Sequence, residues 1–379
     1  MRKALILPTK YVQGEDELLN LGYFVSTFGQ SALLIANPDD VNRVRPQLDA
    51  TAKKFGIHFV EGGFNGEVTR EETKRLQQVA AENHTDCIIG LGGGKAIDAS
   101  KVVAEGEHLI IVPTIAATDA PTSHSAVLYH ADGSFDDYEN FKKSPSVVMV
   151  DTKVVAAAPV RFLVAGMGDA LSTYFEARAT HNSYSRVNAS LPMGSREGLT
   201  EPAIGTYAAL ALAELCWTNL KADGLQAKIA CEANLVTEAF NKIIETNILL
   251  SGLGFESGGL AAAHAIHNGM TVLAGTHHYL HGEKVAFATI VQLVMEDAAK
   301  SELEAVMDFC ASVGLPLTLA DLGVTEISFE EALAVAKIAC IPEESIHSMP
   351  FPISEETVAN ALIVADRIGQ DYKTRNGLA

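Results

Sequence analysis

The first 158 residues alternate between short apolar runs and longer amphipathic stretches, and no other feature restricts the fold as strongly. The apolar runs, each of which predicts a strand, lie at residues 4–7, 31–36, 57–60, 86–91, 108–113 and 147–150. Helical spacing predicts helices near residues 15–28, 39–54 and 69–83. Because strands that alternate with helices form a parallel sheet with helices on its faces, we predict an α/β domain over residues 1–158.

The pattern changes after Pro159, where Ala-rich and Leu-rich segments with helical spacing replace the β-branched runs. These segments predict helices at residues 162–179, 206–222, 228–252 and 329–339. The polar stretch 181–202 suits an excursion on the surface. The sequence therefore predicts an all-α domain over residues 159–379, and a chain of 379 residues is long enough for two domains.

Charge and cysteine content exclude several classes of protein. The formal net charge is −19, which is the wrong sign for a non-specific nucleic-acid binder or for a protein that binds an anionic membrane. Residues 257–282 carry no Asp, Glu, Lys or Arg, but five Gly and five His among them suit a binding site better than a membrane span. The five cysteines are too far apart for a CxxC motif, so they predict neither a disulfide framework nor a thiolate zinc site. We expect a cytoplasmic protein without nucleic-acid or membrane partners.

A glycine-rich turn, Gly92-Gly93-Gly94-Lys95, follows one predicted strand and precedes a helix-like stretch. Three glycines allow a tight turn and a close approach of the backbone to a ligand, and the N–H groups at the start of the next helix favour a phosphate. Taken alone, this turn fits a nucleotide site and a purely structural turn about equally well. Asp98 and Lys101 in the following stretch have an equally ordinary interpretation as solvated helix residues.

A second polar segment leaves the predicted strand 108–113 through Pro113. It carries small hydroxylated or acidic side chains, namely Thr114, Thr118, Asp119, Ser123 and Ser125. Open α/β sheets bind their ligands at the carboxyl ends of the strands, which is where these side chains lie. A simple polar loop is the alternative, and the neighbouring glycine-rich turn favours the ligand site.

Five of the twelve histidines fall within residues 264–281, in an uncharged and glycine-rich context. Neutral imidazoles bind zinc well, and His264 and His267 would share one face of a helix. A catalytic zinc usually has three protein ligands, so a carboxylate should join two of the histidines. Asp169 is the candidate. It follows Gly166-Met167-Gly168 where we predict that a helix begins, and an N-cap is its alternative role.

Five long motifs occur together, at residues 92–98, 113–123, 166–170, 254–269 and 277–289, and KYVQG at residues 10–14 accompanies them. In this combination and order the sequence resembles the glycerol dehydrogenases of the metal-dependent, iron-containing-type alcohol dehydrogenase superfamily. The resemblance implies a dinucleotide-binding α/β domain with a parallel sheet, an all-α domain, and an active site in the cleft between them. It also implies NAD, one zinc per subunit and a homo-oligomer, which would be an octamer.

The resemblance also assigns residues. The zinc ligands would be Asp169, His264 and His281, and Asp119 would lie at the glycerol site. The position of His267, one helical turn from His264 on the same face, independently makes it a candidate to orient a ligand or relay a proton, although a core histidine is nearly as good an interpretation. The residues that would contact NAD are Asn37, Gly92, Gly93, Gly94, Lys95, Ala96, Ile97, Asp98, Thr114, Ile115, Ala116, Ala117, Ser123, Ser125 and Tyr129.

Two single positions depart from the family pattern, as do the segment His124-Ser125-Ala126 and the long stretch 181–202. Thr173 stands where iron-binding relatives have a fourth ligand, a histidine, and this favours zinc. Asn37 stands where an Asp usually follows the second strand. An Asn hydrogen-bonds a ribose hydroxyl but does not repel a 2′-phosphate. Because no Lys or Arg lies in residues 31–41, we expect NAD to be preferred over NADP by a reduced margin.

The resemblance implies NAD-linked oxidation of glycerol, or of a similar vicinal diol, to the hydroxyketone, which is dihydroxyacetone for glycerol. A related alcohol or hydroxycarboxylate dehydrogenase is one alternative. A lyase of the dehydroquinate synthase type, which also uses NAD and a metal, is another, although residues 257–282 lack the basic groups that its phosphorylated substrate needs. A non-catalytic nucleotide-binding or scaffold protein is the third.

Overall fold

The computed structural model describes residues 1–190 and 202–378. Its main sheet has six strands, all parallel, in the spatial order β2-β9-β6-β5-β3-β4. A parallel pair, β1 with β10, and an antiparallel hairpin, β7 with β8, lie apart from it. The strands are β1 (Arg2–Ala4), β2 (Tyr11–Gly14), β3 (Ser31–Ala36), β4 (His58–Glu61), β5 (Cys87–Gly92), β6 (Leu109–Pro113), β7 (Ser125–Tyr129), β8 (Phe135–Asn140), β9 (Val147–Asp151) and β10 (Ala203–Gly205).

Five helices lie between or directly after the strands of the sheet, and nine follow from Val160 onward in the part of the chain that the structure describes. The first group is α1 (Leu21–Ser26), α2 (Pro38–Phe55), α3 (Arg70–Glu82), α4 (Gly94–Ala104) and α5 (Thr152–Ala156). The second group is α6 (Val160–Ser183), α7 (Tyr207–Glu232), α8 (Glu238–Glu245), α9 (Ser251–Gly258), α10 (Ala262–Met270), α11 (His281–Met295), α12 (Lys300–Val313), α13 (Phe329–Ala339) and α14 (Glu355–Arg375). A π-helical turn, Thr246–Leu250, joins α8 to α9.

The sheet is buried on both faces, which explains its continuous apolar runs. In β6, Ile110 and Val112 pack into the core beneath α1 and α2. Leu109 and Ile111 point to the other face, into a core that continues through the helical part of the molecule. The predicted fold class, a parallel α/β region followed by a helical region, is confirmed.

The prediction of a strand at residues 4–7 is wrong. β1 ends at Ala4 and pairs only with β10, while Leu5 and Leu7 are exposed. The edge strand next to β9 is β2, which pairs on that side only and is half-buried, while β4 forms the opposite edge. The sequence of β2, YVQG, is short and partly polar because an edge strand has less apolar contact to satisfy, so hydrophobicity did not mark it as a strand.

The helical half also differs in detail from the sequence prediction. The helix expected over residues 228–252 is interrupted, since α7 ends at Glu232 and Asn234 adopts a positive φ of 54° before α8 begins. One short strand, β10, lies in the half predicted to be all-helical. Within the predicted surface stretch 181–202, residues 191–201 lie outside the described residues. Among the residues described, no helix is long and apolar enough to cross a membrane.

The two halves meet at the carboxyl ends of β5 and β6. There, Asn247 of the π-helical turn donates hydrogen bonds to the carbonyl oxygens of Ala116 and Leu163, each at 3.0 Å. Glu256 of α9 accepts a hydrogen bond from His124 N at 2.7 Å. The loop after β6 is therefore held by the helical half of the chain. The division of the chain at residues 158 and 159 stays a prediction.

Candidate functional site

The glycine-rich turn leads from the end of β5 into α4. Gly92 has a φ of +150°, and a Cβ added there would lie 3.0 Å from the Cβ of Ala96. A Cβ on Gly93 would lie 3.0 Å from Ile115 Cδ1. Thr114 N donates to Gly92 O at 3.0 Å, so the turn and the loop after β6 are hydrogen-bonded to each other. The two segments predicted to contact NAD therefore lie side by side at one edge of the sheet.

Asp98 and Lys101 in α4 are buried, so the interpretation of both as solvated residues is wrong. Lys101 is 1% exposed and its Nζ donates to Asp98 Oδ1 at 3.2 Å, to Ser123 Oγ at 2.8 Å and to the carbonyl oxygens of Ala120 and Ser125 at 2.7 Å. Burial raises the pKa of Asp98, and the ammonium of Lys101 partly offsets that rise. Lys101 thus fixes the loop after β6 to α4, a role that its place in the sequence did not reveal.

The remaining residues predicted to contact the cofactor are divided between two places. Ser125 and Tyr129 lie on β7, and Ser125 Oγ donates to Asn140 Oδ1 at 2.7 Å. Lys95 Nζ pairs with Glu67 Oε2 at 2.6 Å and lies 5.5 Å from the centre of the Tyr129 ring. Asn37 lies at the carboxyl end of β3, where its side chain caps α2 by accepting a hydrogen bond from Asp39 N.

Three glycines bring the loop after β6 and the start of α11 against α6. A Cβ on Gly166 would lie 1.9 Å from Ala116 O. Cβ atoms on Gly168 and Gly282 would lie 2.3 Å from Gly282 O and 1.8 Å from Ala165 O, respectively. Any larger residue would separate these backbones. The glycines of GMGDA and of the HGE motif therefore set the distance between Asp169 and His281.

Asp169, His264 and His281 come together although they lie on three helices, α6, α10 and α11. Their ligand atoms all lie within 4.8 Å of one another. Asp169 Oδ1 lies 3.5 Å from His264 Nε2 and 3.3 Å from His281 Nε2. Asp169 is 1% exposed, and burial alone would raise its pKa, but the imidazoles of His281 and His264 hold that pKa well below its usual range.

Asp169 lies in the middle of α6, which begins at Val160 and agrees with the helix predicted over residues 162–179. The separate prediction that Asp169 stands at a helix start is wrong, and the N-cap alternative fails. Gly166 and Gly168 favour a helix boundary by propensity, yet here they serve close helix packing. Two further histidines of the cluster, His277 and His278, are exposed and lie away from this group. His277 Nε2 lies 2.8 Å from Thr271 O.

Buried groups orient both imidazoles. Glu176 of α6 is fully buried, and its Oε2 lies 2.6 Å from His264 Nδ1, while its Oε1 accepts from the N–H groups of Ala261 and His264. His267 Nε2 lies 3.1 Å from His281 Nδ1. Burial, followed by the neighbouring His281, lowers the pKa of His267 well below its ordinary value, so its ring is neutral near neutral pH. Both Nε2 atoms are thereby left to face Asp169.

The sequence analysis missed Glu176, although Glu176 follows Asp169 by seven residues, about two helical turns, and so shares its face of α6. That spacing was the available signal. It was weak, because a glutamate in a long helix is ordinarily exposed.

Asp119 lies in the same region and is held by a hydroxyl relay. Ser251 Oγ donates to Asp119 Oδ2 at 2.7 Å, and Thr173 Oγ1 lies 2.9 Å from Ser251 Oγ. Burial, followed by the negative charge of Asp169, raises the pKa of Asp119 well above its usual value. Thr173, which the sequence analysis placed where a fourth metal ligand would stand, contacts a serine hydroxyl.

The donor atoms fit a zinc ion. Both oxygens of Asp169 are buried without a hydrogen-bond partner, an arrangement that costs free energy unless a cation is bound. Zinc bonds of about 2.0–2.2 Å in a tetrahedron place neighbouring ligand atoms about 3.4 Å apart. The separations of 3.3 and 3.5 Å from Asp169 Oδ1 are close to that value.

Known proteins resemble the chain over nearly its whole length. The model of the iron-containing alcohol dehydrogenase family matches residues 8–152. A glycerol dehydrogenase of Pseudomonas putida is 44% identical over 98% of this chain and 99% of its own. A glycolaldehyde reductase of Halobacterium salinarum is 41% identical over 97% of this chain and 98% of its own. The crystal structure of the glycerol dehydrogenase of Schizosaccharomyces pombe superposes with a TM-score of 0.92 at 35% identity, over 100% of this chain and 93% of that one.

These similarities extend through both halves of the chain. They agree with a dehydrogenase and not with the lyase or scaffold alternatives. The chain belongs to the iron-containing alcohol dehydrogenase family, in the group that includes the glycerol dehydrogenases.

Proposed function

We propose that this protein oxidises glycerol, or a similar vicinal diol, to the hydroxyketone with NAD as the hydride acceptor. The substrate would lose a hydride from carbon to the nicotinamide ring and a proton from the hydroxyl group, so NAD is reduced as the alcohol is oxidised. The observation that carries the proposal is the buried, unpartnered carboxylate of Asp169 facing two imidazoles beside the loop after β6. The similarity to glycerol dehydrogenases over nearly the whole chain also supports it.

Asp169, His264 and His281 would hold the metal, for which we propose zinc. When bound, zinc supplies a Lewis acid that makes a substrate hydroxyl more acidic. Glu176 would keep the proton of His264 on Nδ1, and His267 would accept the Nδ1 proton of His281. Thr173 supports zinc over iron, since its hydroxyl contacts Ser251 and the described residues offer three ligands here.

NAD would lie along the edge formed by the glycine-rich turn, the loop after β6 and β7. The turn would present backbone N–H groups at the start of α4 to the pyrophosphate. Lys101 holds Ser123 and the carbonyl groups of Ala120 and Ser125 in place, so it would keep this edge in one conformation. The adenosine would then extend toward α2, where Asn37 lies.

Asp119 would bind the substrate hydroxyls and not the metal. A carboxylate accepts hydrogen bonds from both hydroxyls of a vicinal diol, and a mono-alcohol offers only one. Ser251 holds one oxygen of Asp119 and leaves the other for the substrate. His267 would orient His281, because its Nε2 faces His281 Nδ1 and its own Nδ1 faces Asn268 Oδ1 at 3.0 Å. The hydroxyl proton would leave to solvent past His281, whose side chain is 38% exposed.

The test is the formation of NADH by purified, zinc-loaded protein. Glycerol and 1,2-propanediol should give NADH, and 1-propanol should give much less. Absence of NADH with every diol would refute the proposal. Efficient reduction of glycolaldehyde together with poor oxidation of glycerol would instead assign this protein the activity for which the Halobacterium relative is named.

We also propose that the protein is a cytoplasmic homo-oligomer. All five cysteines are free in the structure, which suits a reducing compartment. Light scattering on the purified protein measures its mass in solution, and an octamer is the expected state. A monomer at working concentration would contradict that expectation, and recovery of the native protein outside the cytoplasmic fraction would contradict the compartment.

A further inference from the structure

We propose that an ion pair on α2, Asp40 with Arg43, decides between NAD and NADP, and that residue 37 does not. Asp40 would repel the 2′-phosphate of NADP and neutralise Arg43, which would otherwise bind that phosphate. The inference rests on the proposed function only in assuming that a dinucleotide lies along the glycine-rich turn.

Asp40 lies against the glycine-rich turn itself. Its side chain projects from the first turn of α2, which begins at the carboxyl end of β3, and β3 is the neighbour of β5 in the sheet. A Cβ added to Gly92 would lie 3.4 Å from Asp40 Oδ2, so the carboxylate packs directly beside the glycine that ends β5. A ligand that follows the turn would pass this carboxylate.

Arg43 links the same place to the second cofactor segment. Its Nη2 lies 3.2 Å from Asp40 Oδ1 and 3.4 Å from the carbonyl oxygen of Thr114, the first residue after β6. The side chains of Arg43 and Asp40 are 33% and 27% exposed, so a ligand has access to both. The pair therefore spans the two segments predicted to contact the cofactor.

Residue 37, the usual position of the discriminating acid, is poorly suited to that role in this chain. Asn37 is neutral, and its Oδ1 accepts a hydrogen bond from Asp39 N at 3.1 Å, so the side chain is used as the cap of α2. Asp39 is exposed, whereas Asp40 is half-buried against the turn. Of the two acids in the first turn of α2, Asp40 is therefore the one placed to act on the ribose.

The chemistry of the pair gives the direction of selectivity. A 2′-phosphate is a dianion, and a carboxylate nearby raises its free energy of binding, while an arginine binds phosphate through two parallel hydrogen bonds. The carboxylate of Asp40 repels the 2′-phosphate and also occupies Arg43, so both effects disfavour NADP and the uncharged ribose hydroxyl of NAD is preferred. Without that charge, Arg43 is freed from its partner at the same place.

The experiment measures dinucleotide binding without alcohol substrate, by fluorescence titration of the zinc-loaded protein with NADH and with NADPH. Asp40→Asn should tighten NADPH binding by about ten-fold or more and change NADH binding little. Asp40→Asn/Arg43→Ala should lose that gain. Asp39→Asn is the matched control, because it removes the same charge from the adjacent residue, and it should leave the ratio of the two affinities near that of the wild type.

Competition with adenosine 2′,5′-bisphosphate and with 5′-AMP localises the effect, since only the former should compete better in Asp40→Asn. An unchanged ratio in Asp40→Asn, or an equal change in Asp39→Asn, would overturn the inference. Wild-type protein that binds NADH but does not oxidise glycerol would refute the proposed substrate and leave this inference standing.

Discussion

The candidate cofactor edge, formed by the glycine-rich turn and the loop after β6, and the candidate metal centre, formed by Asp169, His264 and His281, are built by different means. At the cofactor edge, the main chain does most of the shaping, through glycines at residues 92 and 93 and hydrogen bonds between the turn and Thr114. At the metal centre, side chains from three separate helices converge on one buried carboxylate. The first kind of site depends on backbone conformation, and the second depends on charge balance in a buried place.

Because the two sites are built differently, single substitutions should impair one site and leave the other functional. The largest expected effect is at the metal centre. Asp169→Asn keeps the shape of the side chain but removes the charge that binds the cation, so bound zinc should fall to background and glycerol oxidation with it. NADH binding should persist. Metal analysis of the purified protein and NADH titration give the two readouts.

The control for that variant is His278→Ala, which removes an exposed histidine of the same sequence cluster and should retain zinc. His264→Ala and His281→Ala should behave like Asp169→Asn, whereas His267→Ala should keep zinc and lower the rate. Zinc loss in His267→Ala with retention in His264→Ala would show that the ligands are assigned wrongly.

Gly166→Ala should damage both sites together, because at Gly166 the helix that carries Asp169, α6, contacts the loop after β6. The added Cβ would lie 1.9 Å from Ala116 O, so α6 and the loop after β6 must separate. We expect a loss of about 3 kcal/mol in the free energy of unfolding and weaker NADH binding. Chemical denaturation measures the first. Gly14→Ala is the control, since its Cβ would meet nothing closer than 3.8 Å, and equal losses in both variants would contradict the argument.

Glu176→Gln should weaken the metal centre without emptying it. The amide no longer carries the charge that fixes His264 Nδ1, and carboxylates of this kind typically contribute about 10-fold to 100-fold in metal affinity. Competition with a chelator measures the zinc affinity. NADH should bind as it does to the wild type, because the two sites are separate. A zinc affinity equal to that of the wild type would show that Glu176 does not orient His264.

Ser251→Ala and Asp119→Ala should act on substrate selection. Loss of the Ser251 hydrogen bond frees Asp119 to rotate, so KM for glycerol should rise several-fold while KM for 1-propanol changes little. Asp119→Ala should show the same pattern more strongly. Equal rises for both alcohols would contradict a role for Asp119 in binding the second hydroxyl.

Asn37→Asp should have the smallest effect. The new carboxylate can still cap α2, and it adds a second negative charge to the one that Asp40 already places near the turn. We expect NADP binding to weaken by about 1 kcal/mol relative to NAD. Measurement of kcat/KM for both cofactors tests this, and a shift larger than that of Asp40→Asn would make residue 37 the dominant determinant.

Much of this fold could be predicted from local sequence. The buried strands β3, β5, β6 and β9 are marked by apolar runs, and the glycine-rich turn is marked by its composition, because both are consequences of nearby residues. β2 escaped prediction because an edge strand carries a weak apolar signal. The gap between α7 and α8 escaped it because helical spacing continues across Asn234.

The metal candidates were also visible in the sequence, as clustered histidines and an acid within a glycine motif, but their geometry was not. Asp169 was expected at a helix start because glycines weaken helices, whereas packing of α6 against α11 requires glycine at positions 168 and 282. Glu176 and Lys101 were missed because most of their partners are distant in sequence. His264 lies 88 residues from Glu176, and the carbonyl groups of Ala120 and Ser125 lie 19 and 24 residues from Lys101.

The sequence by itself determined the parallel sheet, the helical second half and the residue types that can bind a metal and a dinucleotide. Only the tertiary structure decided which charged groups are buried and which partners they meet. Asp39 and Asp40 illustrate this point. They are adjacent residues of the same type, yet only Asp40 packs against Gly92. Local patterns follow from short-range preferences, whereas the pairing of buried charges depends on which helices and strands pack together.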